Sequence, residues 1–111
     1  MTVKDEVLIT VQQIETLLER RSNLVKLIAQ QNEDLETFEV QTAGEVASDP
    51  LFTNDTKRKA EIQKRLAECD KYIQHKDIHT STKNELMELE NELEGKRYKM
   101  KGYDIITRPL W

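Results

Sequence analysis

His75 and His79 stand four residues apart. On a helix that spacing puts both imidazoles on one face, as in a two-histidine metal site. A working site needs a third ligand. Asp77 falls on another face, and Cys69 lies on a different flank. The pair therefore reads as a polar layer or a solvated face, and no metal is expected. Cys69 belongs to an apolar row, with neither histidine placed to activate it. It reads as a small core side chain rather than a nucleophile. The glutamates at 85, 88, 90, 92 and 94 are abundant but converge on no pocket, and the three glycines are isolated, so no phosphate-cradling loop is present. The expectation is a chain without catalytic residues or cofactor, not an enzyme.

Two stretches could attract phosphate: 57–65, "KRKAEIQKR", and 96–101, "KRYKMK". A net charge of −4 argues against general phosphate attraction, so nucleic acid is not the expected partner. The block 33–39, "EDLETFE", carries four acids and no base. An antiparallel pairing would set it beside 57–65, where opposite charge disfavours wrong registers.

The elements behind these residues follow from composition. Of 111 residues, 34% are charged and 5% aromatic, with three Gly and two Pro. Few breakers and much charge is the composition of long helices. The apolar residues recur at helical spacing, which separates the chain from a disordered one. Val7, Val11, Ile14, Leu18, Val25, Ile28 and Leu35 follow an alternating 4-3 rhythm, with Arg21 and Asn32 in the two remaining slots and Leu17 and Leu24 widening the stripe. Arg21 reads as a side chain that snorkels to water, and Asn32 equally as that or as a register device. Thr2 and Asp5 have the spacing of a helix cap.

Residues 42–54, "TAGEVASDPLFTN", break the rhythm. It restarts with Ile62, Leu66, Cys69 and Ile73, falters over 74–85, and resumes with Leu86, Leu89, Leu93 and Met100 one residue out of phase. Thr82 and Glu85 match a capping box there. The expected fold is all-α: a long antiparallel coiled-coil hairpin of helix 3–41, loop 42–54 and helix 55–101. The alternative is a three-helix bundle with a break near residues 79–82. Folding the chain about residue 48 sets Ile14, Leu17 and Leu18 against polar residues 79–83 and predicts that a partner covers them.

Gly102 and the apolar stretch after it, "GYDIITRPLW", predict a helix stop and an extended tail over 102–111. That tail either packs on its own hairpin or docks a partner through Tyr103, Ile105, Ile106, Leu110 and Trp111. The functional expectation is a non-catalytic assembly or adaptor subunit. It would bind protein, as a homodimer or in a hetero-complex, through its helical seam and this tail. The alternatives are a small helical chaperone or inhibitor, and a nucleic-acid-associated factor using the two basic stretches. No segment has the roughly 20 apolar residues of a membrane span. A lone cysteine and no signal-like start point to the cytoplasm or another reducing compartment.

Overall fold

The computed structural model describes residues 2–107, and among these the regular elements are all helical: α1 Val3–Ala47, α2 Asp55–Glu68 and α3 Asp70–Thr107. Thr2 and Asp5 form the expected cap. The Thr2 hydroxyl accepts from the Asp5 amide at 3.2 Å, and the Asp5 carboxylate accepts from the Thr2 amide and hydroxyl. The described residues divide into two compact units, residues 2–26 with 83–107, and residues 27–82.

In the first unit, Leu17 and Leu24 of α1 are buried with Leu89 and Leu93 of α3, and Ile14 and Leu86 pack against them. Arg20 reaches Glu85 at 3.6 Å and Arg21 reaches Glu90 at 3.2 Å. Lys96 borders a groove with Ile9 and Gln13. Position falls along α1 as it rises along α3, so the two segments are antiparallel.

In the second unit, Leu35, Leu66 and Tyr72 form the buried cluster, with Phe38, Ile62 and Cys69 against it. Gln31 meets His79 and Thr82, and Glu39 meets Tyr72, again antiparallel. The connector is tied to α2 by two arginines. Arg58 Nε donates to the Phe52 carbonyl at 3.2 Å. Arg65 lies 5.7 Å from the centre of the Phe52 ring, 3.7 Å from Asp49 and 2.9 Å from Glu61. The basic stretch thus holds the loop, and its ion pairs run to Asp49, Asp55 and Glu61, not to the acidic block 33–39. Arg65→Ala is expected to lower stability by about 1 kcal/mol, read by urea denaturation, because its contacts are half-exposed. An unchanged midpoint would show that the loop holds without them.

The break in the second half of the chain lies at Cys69, where φ −86° and ψ 104° leave the helix for one residue. Residues 79–82 are helical, contrary to the alternative expectation. The phase slip explains the position. The inner row of α3 is Tyr72, His75, His79, Thr82, Leu86, Leu89, Leu93, Lys96, Met100 and Tyr103, all buried or half-buried at strict 3-4 spacing. The row of α2, Ile62–Leu66–Cys69, projects onto Ile73 instead, one residue or about 100° away. One non-helical residue lets both rows face α1. Polar residues fill the inner row over 75–82, so apolar periodicity alone placed the slip too late. The Thr82 hydroxyl caps nothing; it donates to the Ile78 carbonyl at 2.9 Å within the helix.

Three further expectations are corrected. First, α1 runs through Gly44 to Ala47 rather than ending at 41. Val46 is fully buried, and the Gly44 carbonyl accepts from the Ser48 amide and hydroxyl. Burying that side chain offsets the roughly 1 kcal/mol that glycine costs a helix. Second, the contacts of α1 with α3 centre the fold about seven residues later than 48, so Ile14 and Leu17 meet Leu86, Leu89 and Leu93 and not polar 79–83. Ile14 and Leu17 are covered by the chain's own leucines and need no partner for that. Third, residues 102–107 continue α3, so they are not an extended tail. Gly102 keeps a negative φ, and buried Tyr103 completes the inner row. The expectations for Leu110 and Trp111 lie outside the described residues.

Candidate interaction surface

The inner row of α1 is Val7, Thr10, Ile14, Leu17, Arg21, Leu24, Ile28, Gln31, Leu35 and Phe38, again at 3-4 spacing. Arg21 is exposed and snorkels to Glu90. Asn32 is exposed too, and its neighbour Gln31 is the buried polar residue. Gln31, His79 and Thr82 form one hydrogen-bonded layer. Gln31 Nε2 donates to Thr82 Oγ1 at 3.0 Å, since the Thr82 proton is spent on Ile78. Gln31 Oε1 then faces His79 Nδ1 at 3.1 Å, which must carry the proton. His75 packs its ring 5.2 Å from Phe38. The two histidines are therefore seam residues. Among the described residues, no group of three His, Cys, Asp or Glu is placed to hold a metal ion.

A cleft of about 600 Å³ opens beside Glu39, Ile62, Leu66, Tyr72 and Lys76. Its polar groups hold one another. The Tyr72 hydroxyl donates to Glu39 at 2.7 Å, and Lys76 Nζ lies 5.5 Å from the centre of the Tyr72 ring. Burial pushes the Tyr72 hydroxyl up from 10.0 to about 12, and the hydrogen-bonded carboxylate of Glu39 adds to the effect. The folded state thus favours the neutral phenol. Its contribution to stability is complete below pH 10 and is lost as the pH rises towards about 12. Tyr72→Phe is expected to be less stable by about 1 kcal/mol at neutral pH. The gap to the parent should close between pH 10 and about 12 in denaturation midpoints. A gap constant to the top of that range would contradict the assignment.

The exposed apolar surface lies beside the inner row, not on it. Val11, Leu18 and Val25 recur every seven residues along one flank of α1; Leu18 and Val25 are 39% and 46% exposed, and Val11 is half-buried. Leu8, one turn before Val11 and Leu18's row, is 58% exposed. The rhythm that included Val11, Leu18 and Val25 was real, but it mixed two rows of α1 that share Val7, Ile14, Arg21, Ile28 and Leu35. One row closes on α3, and the other remains open.

The expected partner-binding residues separate accordingly. Ile14 and Leu17 belong to the closed core, Tyr103 is buried, and Leu18, Ile105 and Ile106 are exposed. Tyr98, the most exposed of the large apolar side chains described, was missed. Its signal was available: it stands two residues from both Lys96 and Met100 of the inner row, and so on the opposite side of α3, between two helix-interior glycines, Gly95 and Gly102. No helix of the described residues is long and apolar enough to cross a membrane. Comparisons with protein-family models, with curated proteins and with solved structures find no match.

Proposed function

We propose that this chain is a non-catalytic assembly or adaptor subunit, and that its first unit receives an amphipathic helix of a partner protein along the Val11–Leu18–Val25 flank of α1. The observation that carries the reading is that flank itself. Heptad-spaced aliphatics are what a second helix needs, and here they stay open after the chain's own seam has closed. Covering each would recover part of the roughly 1.5–3 kcal/mol available to a large apolar side chain. Ile105 and Ile106 add apolar surface near the end of α3.

The test is copurification of the full chain beside the Leu18→Lys, Val25→Lys double variant. One partner at a fixed stoichiometry, lost in the variant while helicity is kept, supports the reading. A partner retained at full stoichiometry by the variant would remove this flank from the account. Weak binding to many unfolded chains would instead mark a small chaperone.

A further inference from the structure

The outer face of α3 in the first unit carries a pattern that nothing within the chain uses. Gly95, Tyr98, Gly102 and Ile105 follow one another at 3-4-3 spacing, a heptad row displaced from the inner Leu93–Lys96–Met100–Tyr103 row. Tyr98 is 77% exposed and Ile105 is 69% exposed. A side chain built at Gly95 or Gly102 would meet nothing within 4 Å. Two glycines inside a helix weaken it, and no packing within the chain requires them. Glu94 and Lys101, seven residues apart, lie on the flank of this row away from α1, whereas Glu92 and Lys99 lie on the flank that borders α1 and line grooves there with Ile9 and Gln13. No ion pair among the described residues engages any of the four. Lys99 only stacks on Tyr103, 5.7 Å from the ring centre.

We propose that this face binds a second copy of the chain, with the two α3 helices antiparallel about a two-fold axis passing between Lys96 and Arg97. The inference rests on the reading above that the protein is an assembly subunit, and it names one of its partners. Heptad geometry then brings Tyr98 over Gly95 of the second copy, and the symmetry repeats the contact. Large side chain meets missing side chain. In the same register Glu94 faces Lys101 of the second copy on the flank away from α1. The symmetry makes that pair occur twice. Sliding the helices by one heptad, so that Tyr98 meets Gly102, sets Lys101 against Lys101. Charge therefore selects one register. Glu94 also argues for a second copy over an anionic lipid surface or an acidic helix, since it would repel both.

Sedimentation velocity over a concentration series tests this with the full chain. The parent should show a monomer–dimer equilibrium. Glu94→Lys and Lys101→Glu alone should each raise the dissociation constant about tenfold, because two exposed attractive pairs become repulsive. The double exchange should return it to near the parent value, which a folding defect would not do. Gly95→Leu should weaken association while raising helicity, a combination that separates lost docking from lost fold. Three results would overturn the proposal: a parent that stays monomeric to its solubility limit, single reversals without effect, or a dimer abolished by Leu18→Lys with Val25→Lys but not by the charge reversals. Partner copurification through the α1 flank is read separately, so failure of one reading is distinguished from failure of the other.

Discussion

Leu93→Ala is expected to lower the unfolding free energy by about 2–4 kcal/mol. Leu93 is 2% exposed and shares its cluster with Leu17, Leu24 and Leu89 alone as fully buried members. The two half-buried neighbours, Ile14 and Leu86, are already engaged. A two-helix seam has no second layer to relax into the space, so transfer and cavity terms both count. Urea denaturation of the first unit's helices should show a lower midpoint with little change in slope. Met87→Ala is the control: Met87 is 57% exposed on the same helix and should change stability by less than about 0.5 kcal/mol. A loss at Leu93 no larger than at Met87 would mean that the leucine cluster is not what holds this unit.

Gln31→Leu should be nearly as damaging, for the opposite reason. Gln31, His79 and Thr82 are all buried, and no buried side-chain polar atom among the described residues lacks a partner. Removing the amide strands the His79 Nδ1 proton and one acceptor site on Thr82. Each stranded group costs roughly 1–3 kcal/mol, so a loss of about 2–4 kcal/mol is expected. The informative comparison is the triple variant Gln31→Leu, His79→Leu, Thr82→Val. With every partner replaced together, stability should return to that of the parent or exceed it. What the triple variant should lose is discrimination between registers, visible as broadened amide spectra or mixed oligomers. If Gln31→Leu alone is neutral, the layer is wetter than its burial implies.

The fold class was legible because long runs without glycine or proline carried apolar residues at helical spacing. The cap at Thr2 and the connector after α1 were legible for equally local reasons. What escaped was the choice between neighbouring rows. On α1, Val11, Leu18 and Val25 look as much like a seam as Thr10, Leu17 and Leu24, and hydropathy favours the wrong set because Thr10 and Gln31 are polar. The choice is made by α3, whose inner row mixes leucines with His75, His79 and Thr82. A polar residue that satisfies its hydrogen bonds inside a seam is invisible to an apolar count. The candidate surface was half legible for the same reason. Leu18 is exposed because it belongs to the open row, not because polar residues 79–83 face it. Gly102 was read as a stop, although nothing in the helix forces a positive φ there.

The single non-helical residue at Cys69 has a bearing on how this chain can change in length. Within 72–103, inserting one residue would rotate everything beyond it by about 100° and expose the row that packs on α1. At Cys69 the hydrogen-bond ladder is already interrupted, its amide bonding to the Leu66 carbonyl three residues back, while Leu66 of α2 and Tyr72 of α3 both pack in the cluster with Leu35 of α1. An added residue there would lengthen a joint that already exists. Lineages of this chain should therefore tolerate insertions at residue 69 better than within either flanking helix, although no loop surrounds it.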